Sequence, residues 1–173
     1  MVIDVEIEKL VIGYLKTNCY ILKKGNKSII IDPAGDFESI EEATKNTEVV
    51  GCFVTHHHFD HTGALDKVLR KYKITENPKE ISGFVYELIS TPGHMINSVT
   101  IYFPESKAMF SGDFLFYRTI GRVDLPNSNS KDMLESLRKI ESYPDDIVVY
   151  PGHGRSTILG EEKEYFNYYE ESL

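Results

Sequence analysis

Cysteine is scarce in this chain: Cys19 and Cys52 are the two present among 173 residues. They build no disulfide framework and match no zinc spacing of the C-x-x-C kind, so a reducing, cytoplasmic setting is expected. Long apolar runs are missing. Nothing approaches the ~20 residues needed to span a bilayer, and no membrane partner is expected. The opening stretch Met1-Val2-Ile3-Asp4-Val5-Glu6-Ile7-Glu8 is acidic and alternating, unlike a signal peptide. Positive charge is also short, with 19 Lys and Arg against 27 Asp and Glu and a net charge of −8. A phosphate-backbone binder needs clustered Lys and Arg, so nucleic acid is not expected as a partner. Low-complexity linkers and repeats are absent. The length and the 41% hydrophobic content fit one domain over 1–173, large enough to fold without a disulfide or metal.

Histidine is not abundant, but it is unevenly placed. The six are His56, His57, His58, His61, His94 and His153. Four fall within six residues, and the other two each follow Pro-Gly. Imidazole is a common metal ligand and acid–base group.

Strand and helix patterns alternate along the chain. Val2–Val11 alternates with period two, as a half-buried strand does. Asn18–Lys23 and Ser28–Asp32 read as strands around the hairpin signal Gly25-Asn26. Val49–Thr55, Tyr86–Ser90, Val99–Phe103, Ala108–Ser111 and Ile147–Tyr150 read as further strands. A short helix carries Ile40, Ala43 and Thr44 after Asp36. A second presents Ala64, Leu65, Val68, Leu69 and Tyr72 on one face. A third, capped by Ser130, presents Met133, Leu134, Leu137 and Ile140. The tail from Glu161 reads as helical, and its aromatics Tyr165, Phe166, Tyr168 and Tyr169 are expected to pack against the domain.

Five of these strands end in polar residues that can bind metal or support ligands: Asp32, His56, His94, Asp113 and His153. Strand ends and the loops after them are where a rigid scaffold meets solvent, so these tips are expected to converge. The run His56-His57-His58-Phe59-Asp60-His61 has the form H-x-H-x-D-H. In an extended chain His56 and His58 point together and His57 points away. Imidazole and carboxylate donors suit zinc, iron or manganese. His56, His58, Asp60, His61, His94, Asp113 and His153 are too many for one four-coordinate ion. They fit two ions sharing a carboxylate.

The sequence resembles the metallo-β-lactamase superfamily and is most similar to its glyoxalase II-like (hydroxyacylglutathione hydrolase-like) branch. The resemblance rests on Ile31-Asp32-Pro33, the H-x-H-x-D-H run, Thr91-Pro92-Gly93-His94, Ser111-Gly112-Asp113, Gly121-Arg122-Val123-Asp124-Leu125-Pro126 and Tyr150-Pro151-Gly152-His153-Gly154, in family order. It implies an α+β layered fold, an αβ/βα sandwich of two mixed β-sheets flanked by helices. It implies one metal on His56, His58 and His94, and a second on Asp60, His61 and His153, with Asp113 bridging them together with a hydroxide. Zinc is the expected metal, and iron or manganese are compatible. Asp32 would support a ligand rather than bind metal. The implied reaction is hydrolysis of a small hydroxyacyl thioester, with Asp60 and Asp113 catalytic. Tyr117, Arg118 and Arg122 are candidates to grip a carboxylate-bearing substrate tail, although Arg122 beside Asp124 also reads as an ion pair fixing its loop.

Residue identity narrows the branch. The commonest β-lactamases place cysteine where Asp113 stands, and diiron oxygen reductases replace the histidine at His58 with a carboxylate. The chain departs from the pattern in three places. Only residues 62–93 separate His61 from His94, Met95-Ile96-Asn97-Ser98 follows His94, and no C-terminal glutathione-binding helical domain is expected. The rival readings are a mononuclear iron persulfide dioxygenase with iron on His56, His94 and Asp113, a lactonase or esterase, and an inactive metal-binding module. A monomer or homodimer acting on a small molecule is expected.

Overall fold

The computed structural model describes residues 5–173. They form two compact units that meet in sequence between Val85 and Tyr86. Residues 2–4 of the expected first strand lie outside the described residues.

The first unit contains β1 (Glu6–Ile12), β2 (Thr17–Lys24), β3 (Lys27–Ile31), α1 (Phe37–Thr44), β4 (Glu48–Phe53), α2 (Phe59–Thr62) and α3 (Leu65–Tyr72). The sheet order is β1-β2-β3-β4. β1–β2 and β2–β3 are antiparallel, and β3–β4 is parallel. Gly25 supplies the positive φ that the two-residue β2–β3 turn requires. Asp36 caps α1 by accepting from the Ser39 backbone N–H. One face of the sheet, with Cys19, Ile21, Ile30 and Cys52, packs on Ile40 from α1 and on Ala64, Leu65 and Val68 around α3. The other face presents Leu22, Ile29, Ile31 and Phe53, all fully buried, so β2–β4 read as near-continuous apolar runs.

The free edge of β4 is closed by one residue. Asn77 accepts from the Val54 N–H and donates to the Val54 carbonyl with its side-chain amide, while its own N–H reaches the Cys52 carbonyl. A single bridge, Cys52 to Glu76, takes the place of a paired strand there. Both cysteines are buried, and burial pushes their thiols well above the ordinary range. They behave as small core residues.

The second unit contains β5 (Glu87–Ser90), β6 (Val99–Phe103), β7 (Ala108–Gly112), β8 (Leu115–Phe116), β9 (Thr119–Ile120), α4 (Ser130–Glu141), β10 (Val148–Pro151), β11 (Thr157–Ile158), α5 (Leu159–Lys163) and α6 (Phe166–Ser172). The main sheet runs β11-β10-β7-β6-β5, and β8–β9 is a separate hairpin. β7 and β10 are parallel, and the other pairs are antiparallel. Ile89, Met109 and Val149 from the sheet pack on Met133, Leu137 and Ile140 from α4 and on Leu159, Phe166 and Tyr169 from the tail. Two mixed sheets with flanking helices are therefore the architecture, as expected.

Three local readings are corrected. The cap of α4 is Asn129, not Ser130: its side chain accepts from the N–H groups of Lys131 and Asp132, and Ser130 is the first helical residue. The tail is two helices, starting at Leu159 rather than Glu161. Its aromatics divide, with Phe166 and Tyr169 in the core and Tyr168 exposed. The short elements α2, β8, β9 and β11 carry too few residues to show a period. No helix among the described residues is long and apolar enough to cross a membrane.

Strand ends converge within each unit. β3 and β4 run parallel side by side, so Asp32 and the turn leading to His56 leave the same edge, with the Asp32 N–H bonded to the Phe53 carbonyl at 2.9 Å. In the second sheet β5, β7 and β10 all point one way. The segments leading to His94, Asp113 and His153 therefore leave one edge.

Candidate metal centre

In the first unit, the donors sit where β4 gives way to α2. His56 Nε2 lies 3.0 Å from His58 Nδ1, as period-two alternation requires. The His56 and His61 ring centroids are 4.1 Å apart, and His61 Nε2 is 3.5 Å from Asp60 Oδ2. His57 points away and pairs with Glu76 at 2.9 Å on the surface.

One buried carboxylate organises this cluster. Asp32, held at φ 52°, accepts from the Thr55 N–H and the Thr55 hydroxyl, both at 2.7 Å, and from His61 Nδ1 at 2.9 Å. A carboxylate only accepts, so His61 carries its proton on Nδ1 and presents the lone pair of Nε2. The Thr55 hydroxyl proton is already committed to Asp32, so Thr55 Oγ1 accepts from His56 Nδ1 at 3.1 Å. His56 thereby also presents Nε2. Thr17 donates its hydroxyl to Asp60 Oδ2 at 2.9 Å and orients that carboxylate.

In the second unit, the donors come from three separate strand ends. Asp113 Oδ2 lies between two imidazoles, 3.6 Å from His94 Nε2 and 3.5 Å from His153 Nε2. The Arg122 backbone carbonyl accepts from His94 Nδ1 at 3.0 Å, again turning Nε2 to the cluster. Close backbone approach holds the loops. Gly93, at φ 146°, sits against Met133, where a Cβ would be 2.6 Å from the Met133 Cα. Gly121 sits against Asp113, where a Cβ would be 1.8 Å from the Asp113 carbonyl oxygen.

The described residues thus include groups of three His and Asp side chains whose ligand atoms lie close enough together to hold a metal ion. The donors are imidazoles and carboxylates, with no thiolate, and His56, His61 and His94 have their Nδ1 protons turned away. That set fits zinc, iron or manganese.

The candidate substrate residues lie in the second unit. Tyr117 and Arg118 form the turn of the β8–β9 hairpin. The Arg118 N–H donates to Glu162 Oε2 at 2.8 Å, and its guanidinium stacks on Tyr165 at 4.6 Å. Arg122 makes a two-point ion pair with Asp124 at 2.9 and 3.0 Å, which holds the Asp124 carboxyl below its usual range. Sequence reading missed Thr17, Thr55 and the Arg122 carbonyl as supports. Thr55 adjoins His56, but nothing in the residue order marks Thr17. A backbone carbonyl leaves no trace in residue type.

A model of the metallo-beta-lactamase superfamily matches residues 12–76 and 78–153. The chain is 28% identical to hydroxyacylglutathione hydrolase GloC of Haemophilus influenzae, over 91% of this chain and 94% of that one. It is 28% identical to the probable metallo-hydrolase YqgX of Bacillus subtilis, over 90% and 93%. A hydroxyacylglutathione hydrolase of Bartonella tribocorum is 33% identical over 76% of this chain, a match spanning 59% of that protein. Among solved structures, the BLEG-1 B3 metallo-beta-lactamase superposes with a TM-score of 0.88 at 28% identity, covering 95% of this chain and 99% of that one. TTHA1623 in a di-iron-bound form gives 0.79 at 27% identity, covering 90% and 96%.

Proposed function

Because the chain belongs to the metallo-beta-lactamase superfamily, we propose that its two clusters pool into one site for two divalent ions, and that it hydrolyses a small hydroxyacyl thioester. His56, His58 and His94 would hold one ion and Asp60, His61 and His153 the other, with Asp113 shared. The observation that carries this reading is Asp113 Oδ2 poised between His94 and His153, as a shared carboxylate requires. Zinc is the proposed metal. The donors also suit iron, and a relative was solved with two irons. Residues 1–173 would act as a single hydrolase domain in the cytoplasm, as a monomer or homodimer.

Bound there, divalent ions would supply Lewis acidity and a water acidic enough to act as a nucleophile near neutral pH. The chain's own residues do the rest. Asp32 and Thr55 keep His56 and His61 in the tautomer that offers a lone pair. Asp60, steadied by Thr17, accepts a proton from water and aims its oxygen at the thioester carbon. Water adds at that carbon, the carbon–sulfur bond breaks, and the sulfur leaves as thiolate. A thiol with a pKa of about 8.5 leaves without a general acid. Tyr117 and Arg118 lie on the hairpin after Asp113, where a substrate tail can be gripped.

The test is to purify the protein anaerobically and count metals per chain. Thiol release from an S-lactoyl thiol ester is then measured beside lactone opening and oxygen uptake with a persulfide. Two ions and thiol release are expected. One iron with oxygen consumption, or lactone opening alone, would overturn the reading.

A further inference from the structure

The chain has five arginines: Arg70, Arg118, Arg122, Arg138 and Arg155. Arg122 and Arg138 end on carboxylates, Asp124 and Glu170. Arg70 donates to the Asp66 carbonyl. Among the described residues, the guanidinium groups of Arg118 and Arg155 meet no carboxylate. Both lie over the ring of Tyr117 instead, with Arg155 Cζ at 4.0 Å and Arg118 Cζ at 5.5 Å from its centroid. Two cations sharing one ring repel each other, and the ring's quadrupole offsets only part of that cost. In a chain of net charge −8, two guanidinium groups thus share one ring without a carboxylate on either.

The platform is held in place. Arg118 has φ 59°, and its N–H is fastened to Glu162, whose other oxygen accepts from the Thr157 hydroxyl at 2.5 Å. Glu162 is fully buried. Beside the platform lies a cavity of about 400 Å³ lined by Phe116, Tyr117, Thr119, His153, Gly154 and Arg155. It therefore reaches from a metal-binding candidate, His153, to a guanidinium whose one hydrogen bond among the described residues is a long one, 3.5 Å to the adjacent Ser156 carbonyl.

We infer that this cavity takes the carboxylate of the substrate's thiol carrier, and that Arg155 is the residue that selects it. The inference rests on the thioester reading above. The hydroxyacyl group is small and reacts at the metal cluster, so the carrier is the part that extends into a neighbouring cavity. One guanidinium lines the cavity, which matches a monoanion better than a phosphate dianion. The planar fork of arginine binds a carboxylate through two parallel hydrogen bonds. Arg118, turned onto Tyr165, steadies Tyr117 and adds to the positive field.

The test compares S-lactoyl esters of N-acetylcysteine, which carries a carboxylate, of N-acetylcysteamine, which is uncharged, and of phosphopantetheine, which carries a phosphate. The metal-loaded wild type should favour the N-acetylcysteine ester over the N-acetylcysteamine ester by about tenfold or more in kcat/KM. Arg155→Ala should remove that preference through KM, and Arg155→Lys should restore part of it. Calorimetry with the uncleavable thioether S-(2-oxopropyl)-N-acetylcysteine gives a readout without turnover, and the wild type should bind it at least tenfold more tightly than Arg155→Ala. Equal rates on the carboxylate and uncharged esters in the wild type would overturn the inference. A larger Arg155 dependence for the phosphate ester would overturn the carboxylate assignment. Arg155-dependent thioether binding without cleavage of any thioester would uphold the cavity and overturn the thioester reading instead.

Discussion

The two clusters are built in opposite ways. In the first unit, His56, His58, Asp60 and His61 lie within six residues, and their geometry is governed by Asp32, which bonds Thr55 and His61 directly and His56 through Thr55. In the second unit, His94, Asp113 and His153 come from three strands. Their loops are held by backbone: the Arg122 carbonyl on His94, and the close approaches of Gly93 and Gly121. A local motif concentrates its support in one side chain, whereas a dispersed set of donors relies on sheet register and on room for the main chain.

This contrast predicts where each half is vulnerable. The largest effect is expected from Gly121→Ala, because a Cβ there would stand 1.8 Å from the Asp113 carbonyl oxygen. The cost should be about 3 kcal/mol or more, read from the denaturant midpoint. Gly63→Ala in the first unit should cost less, since its Cβ would meet the Ala34 carbonyl at 2.3 Å. The reverse order would break the contrast.

Asp32→Asn comes next. The amide cannot accept from all three donors, so about 2–3 kcal/mol should be lost and metal affinity should fall about 10- to 100-fold. The matching change in the second unit, Arg122→Ala, should leave metal affinity in place, because His94 is held by the Arg122 backbone and not by its side chain. Equal losses in a metal titration would show that the two halves are supported alike. Thr17→Val should cost about 1 kcal/mol and lower turnover by loosening Asp60. The smallest effect belongs to His57→Ala, which removes a surface pair with Glu76. Stability should change by less than about 0.5 kcal/mol and turnover should persist, and a loss as large as that from Asp32→Asn would show that the alternation argument is wrong.

The same contrast explains what could be read from residue order. The first cluster was legible because its chemistry is contiguous and strand alternation separates His57 from His56 and His58. The three donors of the second cluster were visible as residue types after Pro-Gly and Ser-Gly, yet their shared edge depends on β5, β7 and β10 pointing the same way, which no local pattern states. Ser130 looked like a cap because serine is a good one, but the preceding residue, Asn129, has the extended backbone a cap needs. Arg155 passed unnoticed because its role comes from a cavity wall and a stacked tyrosine.

The central claim is that seven donors from the two units serve one two-metal hydrolase. Zinc added back to chelator-stripped protein, with thiol release from an S-lactoyl thiol ester followed at each addition, tests it most directly. The account predicts activity that climbs until two equivalents per chain are bound and then levels off. Full activity at one equivalent would contradict it.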